Sequence, residues 1–269
     1  MPPVQLTDAS FAKLVTIIYD LTGVSIDDSK RSLLRNRLGR RVRALGIEGL
    51  EEYIELISSS RKGAEEVASF VDVVTTHKTS FFRTPSLWNA VESELSDRLA
   101  GSGPVRAWSA ACSNGQEPYS LAILLEHLRG SKAATWKIRA SDVSKLAVKR
   151  AKAGEYDAQD VQGAENARPD WGVPRHFEAC GEKMVVKREL RERIQFSDHN
   201  LLHPPRGTFD IVFLRNVIIY FSEEDTRRVI GHAIDVLEPG GLLVIGESES
   251  IGNSEPRVSY EGPCLYRKK

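Results

Sequence analysis

Val105-Arg-Ala-Trp-Ser-Ala-Ala-Cys-Ser-Asn-Gly-Gln-Glu-Pro-Tyr-Ser120 decides the fold. Residues 105–110 read as a short buried strand and residues 118–128 as a helix. Between them lies a turn of small residues. Gly115 gives that turn conformational freedom. The helix that follows presents free amides and a partial positive charge at its start. The alternation continues downstream, with strands at 136–141, 194–197, 209–214 and 242–246 and helices at 144–153 and 223–237. The tail through Leu265-Tyr266 reads as one more strand. Such alternation predicts an α/β fold, a doubly wound, mostly parallel sheet with ligands at the carboxyl ends of its strands.

Upstream the pattern is helical. Phe11, Leu14, Val15, Ile18 and Leu21 share one helical face, capped by Thr7 or Asp8 and ended by Gly23. A second helix over 28–45 carries the stripe Leu34, Leu38, Val42 and Leu45 and closes at Gly46. Further helices are predicted over 50–59 and 64–74, giving a small all-α domain over 1–75. Thr84-Pro85 then starts the first helix of an α/β domain over 76–269. Within it, Phe177 to Lys187 around Gly181 reads as an inserted β-hairpin subdomain at about 176–194.

Lys and Arg total 37, as do Asp and Glu, so the chain has no net charge and is a poor prospect for nucleic acid. No apolar run approaches the length of a membrane helix, and no signal peptide is visible. Cys112, Cys180 and Cys264 are scattered and form no metal motif. The chain reads as a soluble cytoplasmic protein without a metal.

The chemistry lies at the strand ends. Glu117, in the first turn, can accept hydrogen bonds from an ammonium group. Asp142 follows the second strand, where a carboxylate binds ribose hydroxyls, or else caps the next helix. Neither GxGxxG nor GxxxxGK[ST] is present. A nucleoside ligand without a phosphate loop is implied, and S-adenosylmethionine fits. Asn200 and Asn216 follow the later strands and can offer amide groups in the crevice, although an exposed loop Asn is usually a turn residue. Phe81 and Phe82 anchor the segment that holds Thr79 and Arg83 beside the sheet, and a fixed Arg suits an anionic substrate.

In this order and spacing six segments carry a resemblance: Thr79-Ser-Phe-Phe-Arg83, Trp108 to Ser120, Ser141-Asp-Val143, Asn200-Leu201, Arg215-Asn-Val-Ile-Ile-Tyr-Phe221 and Glu238-Pro-Gly-Gly-Leu-Leu243. The sequence resembles the CheR-type chemotaxis receptor methyltransferases over nearly its whole length. The resemblance implies a Rossmann-like methyltransferase that moves a methyl group from S-adenosylmethionine to receptor glutamates, leaving S-adenosylhomocysteine. It implies cofactor contacts by Thr79, Arg83, Glu117, Asp142, Asn200, Leu201, Asn216 and Val217, with Arg83 and Tyr220 near the methyl-transfer centre. His77, also a cofactor position, stands where the family usually has Asn, and Gln116 where it usually has Glu. Those departures motivate a competing reading, a non-catalytic signalling scaffold with the same fold.

Residues 30–43 hold seven basic side chains and no acidic one, with Arg37, Arg40 and Arg43 recurring along the polar side. A solvated helix face and nucleic-acid binding both suit such a run. The resemblance favours docking of the acidic, glutamate-bearing cytoplasmic helices of a methyl-accepting receptor. No Asn/Asp-Pro-Pro-Tyr/Phe or Pro-Cys motif of nucleic-acid methyltransferases is present. The expected enzyme is a monomer that does not insert into the membrane. Its short hairpin loop, 179–183, suggests no need of a receptor peptide tether.

Overall fold

The computed structural model describes residues 5–59, 64–100, 103–130, 135–252 and 255–269. Its first four helices form a bundle. Helix α1 (Asp8–Thr22) starts where the Thr7 hydroxyl accepts the Ser10 N–H and ends at Gly23 in the left-handed conformation. One 3-10 turn leads into α2 (Arg31–Leu45), followed by α3 (Leu50–Ser58) and α4 (Ala64–Val74). Their shared core includes Leu14, Ile18, Leu34, Leu38, Tyr53 and Phe70. Leu45, expected to complete the α2 stripe, is instead exposed at the last residue before the chain reverses at Gly46. A polar pin crosses the bundle. Glu66, 8% exposed, accepts the Tyr53 hydroxyl at 2.6 Å and Arg41 Nε at 2.8 Å.

Helix α5 (Pro85–Ala100) precedes a seven-stranded sheet. In chain order its surroundings are β1 (Val105–Ser109), α6 (Gln116–Arg129), β2 (Trp136–Asp142) and α7 (Lys145–Ala153). There follow β3 (Glu155–Asp157), α8 (Ala158–Ala167), β4 (Phe177–Cys180), β5 (Lys183–Val186), α9 (Arg188–Arg191) and β6 (Ile194–Asp198). The chain closes with β7 (Phe209–Leu214), α10 (Glu223–Asp235), β8 (Leu237–Ile245), β9 (Val258–Gly262) and β10 (Leu265–Lys268).

The large sheet runs β6-β2-β1-β7-β8-β10-β9. Its first five strands are parallel, and β10 and β9 add an antiparallel edge. Separate apolar clusters cover its two faces, one around Trp88, Ile138 and Phe213, the other around Trp108, Val212 and Ile234. The strand order reverses between β1 and β7, and loops that leave a sheet in opposite directions open a crevice there.

Three features of the two sheets differ from the sequence reading. The inserted hairpin has a third strand, since β3 pairs antiparallel with β5. Three residues are too few to show alternation. Gly240-Gly241, read as a turn ahead of a strand, lies inside β8, where the register with β7 jumps from Leu237 to Leu242 and the residues between bulge out. Strand β9 was not foreseen.

Burial pushes the Glu66 carboxyl up, but the hydrogen bonds from Arg41 and Tyr53 outweigh it, and its pKa lies below the ordinary value. A depressed carboxyl stabilises the fold above its unfolded pKa, about 4.3, and that contribution is lost as pH falls through the folded value. Glu66→Gln should therefore cost about 1–3 kcal/mol in urea unfolding at pH 7. Its deficit relative to the wild type should narrow below about pH 4. An equal deficit at both pH values would contradict this origin.

Candidate active site

The crevice is organised around an ion pair. Arg215, directly after β7, has a side chain only 2% exposed, and its Nη1 lies 3.1 Å from Glu117 Oε2 at the start of α6. Its Nη2 donates to the Arg83 carbonyl at 3.0 Å. The other Glu117 oxygen accepts the Ser109 hydroxyl at 2.8 Å. Burial pushes the Glu117 carboxyl above its ordinary value, and Arg215 and Ser109 offset that only in part. Glu117 still lines the cavity, so its free lone pairs face whatever occupies it.

Asp142 ends β2 and is 8% exposed. Its two oxygens accept the amides of Ser113 at 2.8 Å and Ser144 at 2.9 Å. Burial raises its carboxyl against the pull of those amides. Ser144, not Asp142, caps α7, with its hydroxyl accepting the Ala147 N–H. The helix-cap reading of Asp142 is thereby corrected, and the carboxylate stands in the cavity wall beside Val143. The turn before α6 is strained, and its glycine packs against the protein's own interior and does not line the cavity. Ser113 has φ 49° and Gly115 φ 95°, and a Cβ on Gly115 would meet the Tyr156 hydroxyl at 2.8 Å.

His77 lines the cavity from the segment joining the domains. Its Nε2 lies 3.0 Å from Asp72 Oδ1, and its Nδ1 is 3.5 Å from the Ser113 hydroxyl. These are the residue types of a nucleophilic triad, and no sequence spacing announces them. Asp72 is shared with Ser144 and Arg150, and the serine contact is long, so the set serves as a structural chain. Cys112 is no nucleophile either: burial, then the nearby Asp142 and Glu117, push its thiol well above the ordinary value.

The loop after β7 is held by a carboxylate. Glu249 accepts the amides of Asn216, Val217 and Ile218 at 2.7, 2.8 and 3.0 Å, and that of Gly246 at 2.6 Å. A side chain at Gly246 would lie 2.6 Å from Glu249 Oε2 and 2.7 Å from Asn216 Nδ2, so only glycine fits. Asn216 takes φ 56° there, and Asn216, Val217 and Tyr220 line the cavity. Ser25 of the all-α domain donates to the Tyr220 carbonyl at 2.8 Å.

Thr79, Arg83 and Leu201 also line the cavity. Arg83 Nη1 donates to the Lys78 carbonyl at 3.1 Å. Asn200 is not among the lining residues. Its side chain binds the Leu21 carbonyl and the Leu202 amide, and so braces Leu201 instead. The opposite wall comes from the all-α domain, with Val24, Ile26, Lys30, Leu33 and Leu34. The basic helix divides. Arg37 donates through Nη1 to the carbonyls of Val73, Val74 and Thr75 at the end of α4, a helix-capping contact, and it also lines the cavity. Arg31 and Arg41 are paired with acids. Arg40 and Arg43 are exposed and have no hydrogen bond or ion pair among the described residues, and neither lines this cavity.

Arg215, Glu249, Ser113 and Asp72 escaped the sequence reading. Each acts through a contact far along the chain. Ser113 lay in the small-residue turn and Arg215 beside Asn216, but nothing hinted at their partners. Among the described residues no cluster of His, Cys, Asp and Glu could hold a metal, and no helix is long and apolar enough to cross a membrane.

The donor set fits a nucleoside with a charged tail: two carboxylates beside backbone amides, an apolar wall of Val143 and Leu201, and a cation at Arg83. Comparison with known proteins agrees. Residues 77–262 match the CheR methyltransferase, SAM binding domain, and residues 9–75 the CheR methyltransferase, all-alpha domain. The chain is 34% identical over 268 residues to the chemotaxis protein methyltransferase of Escherichia coli (strain K12), covering 97% of this chain and 91% of that one. It is 34% identical over 276 residues to chemotaxis protein methyltransferase 1 of Pseudomonas aeruginosa, covering 97% and 98%. A probable chemotaxis protein methyltransferase of Rhizobium etli is 35% identical over 251 residues, with 90% and 92% covered. The cofactor is S-adenosylmethionine, the product S-adenosylhomocysteine, and the chain belongs to the CheR methyltransferase family.

Proposed function

We propose that this methyltransferase esterifies glutamate side chains on the cytoplasmic helices of chemotaxis receptors, acting in the cytoplasm as a monomer. One observation carries the reading. A single cavity is lined by two carboxylates, Asp142 and Glu117, and by a second set, Arg83, Tyr220, Lys30 and Leu33. The first suits a cationic nucleoside and the second an incoming anion. The relatives are chemotaxis methyltransferases.

The bound cofactor supplies a methyl group on a sulfonium. In this proposal Asp142 holds the ribose hydroxyls and Glu117 the ammonium group. Thr79, His77, Leu201, Asn216 and Val217 complete the cofactor surface, with Asn200 bracing it from behind. An acceptor glutamate ionises near ~4.3, so it arrives as a nucleophile and needs no general base. Arg83 orients that carboxylate, Tyr220 places it against the methyl, and the apolar wall excludes water. The exposed Arg40 and Arg43 draw in the acidic receptor helix, and Arg37 supports them by fixing α2 on α4. No feature of the site favours the non-catalytic scaffold.

Three outcomes test this. Arg83→Ala should lose more than about tenfold in kcat, and unchanged turnover would remove its role. In calorimetric titration S-adenosylhomocysteine should bind the wild type and fail to bind Asp142→Ala. Equal binding would show that Asp142 is not at the ribose. Exchanging Arg40 and Arg43 together for Ala should raise the KM for receptor at low ionic strength and flatten its rise with salt. A KM and salt response like those of the wild type would place docking elsewhere.

A further inference from the structure

Asp72 belongs to the all-α domain, in the last turn of α4. Its carboxylate accepts three side chains, and each leads to a turn that borders the cofactor cavity. The Ser144 hydroxyl donates to Asp72 Oδ1 at 2.7 Å, and the Ser144 amide in turn holds Asp142. Arg150 of α7 reaches both carboxylate oxygens, at 2.7 and 3.2 Å, while its Nε donates to Asn114 Oδ1 at 2.7 Å. His77 Nε2 lies 3.0 Å away, and the other ring nitrogen approaches Ser113. Ser113 and Asn114 thus receive two arms from a single acid.

That turn needs holding. Ser113 sits at φ 49°, a conformation side-chain-bearing residues rarely adopt, and its amide must point at Asp142. Burial raises the Asp72 carboxyl, but hydrogen bonds from His77, Arg150 and Ser144 overcome it, and the group is held well below the usual carboxylate range. It is therefore charged whenever the enzyme works.

We propose that Asp72 is a positioning residue for the cofactor: the all-α domain, through this one carboxylate, sets the 113–114 turn and Asp142 in their binding geometry. The domain that faces the receptor then also governs cofactor affinity. The proposal rests on the reading of the crevice as the S-adenosylmethionine site. General docking of the two domains is a separate matter. Tyr19 of α1 donates to Asp225 of α10 at 3.1 Å, and that link touches neither cofactor turn.

The test compares Asp72→Ala, Asp72→Asn and Tyr19→Phe by titration with S-adenosylhomocysteine and by steady-state kinetics. Asp72→Ala should raise the S-adenosylhomocysteine Kd and the S-adenosylmethionine KM about tenfold. Its receptor KM at saturating cofactor should stay within about twofold of the wild type. Asp72→Asn keeps an oxygen for Ser144 and loses the charge facing Arg150, so it should fall between and serves if the Ala variant does not fold. Tyr19→Phe should bind S-adenosylhomocysteine within about twofold of the wild type. Unaltered affinity in a folded Asp72 variant, or an equal loss in Tyr19→Phe, overturns the proposal alone. No binding by the wild type would overturn the reading of the crevice as well.

Discussion

A guanidinium withdrawn from water joins the pieces of chain that meet in the crevice. Arg215 leaves β7, grips Glu117 at the head of α6 and holds the Arg83 carbonyl of the segment between the domains. A buried ion pair is tolerable only when hydrogen bonds fill both of its ends. Here Ser109 satisfies the far oxygen of Glu117 and the Arg83 carbonyl takes the second nitrogen of the fork, while the Arg215 Nε is buried with no partner among the described residues. Loss of either charge would strand the other out of water, at about 3–5 kcal/mol. The same contact fixes the fold at the point where strand order reverses and aims Glu117 into the cavity. Structure and chemistry share one constraint here, and several unusual backbone conformations occur in the segments around the crevice. Phe82, Thr84, Ser113 and Asn216 all have positive φ.

The all-α domain is part of this site. It supplies the apolar wall at Val24, Leu33 and Leu34, binds the Tyr220 carbonyl through Ser25, and sends Asp72 under the first turn. A cavity closed by two domains can shed water when an acceptor helix covers its mouth. That suits methyl transfer from a sulfonium, where positioning of the two reactants contributes much of the rate. The basic helix is likewise two things at once. Arg31, Arg37 and Arg41 fasten α2 to its neighbours, and only the remaining cations face solvent unpaired among the described residues.

The elements were legible wherever a local rule governs them. Thr7 and Gly23 bound α1, Pro85 opens α5, and the strand–helix alternation after Val105 announces the parallel sheet. Site residues at strand ends were legible too, because the ends of parallel strands converge by topology. Glu117, Asp142 and Asn216 arrive in the cavity for that reason. What stayed hidden depends on partners far along the chain. Glu249 gains meaning only beside the amides of 216–218, and Asp72 only beside α7. Helical spacing placed Arg37 in line with Arg40 and Arg43, yet spacing does not reveal the carbonyls that engage it. Strand β3 was invisible because its three residues are defined by pairing with β5 and not by any pattern of their own.

The central claim is chemical: the methyl group ends on a glutamate carboxylate. The most direct measurement incubates the enzyme with isotopically labelled S-adenosylmethionine and a receptor cytoplasmic fragment, then locates the label by mass spectrometry before and after mild base. The account predicts label on glutamate residues of the receptor helices, released as methanol by base. Label that survives base, or that sits on another residue type, would contradict it.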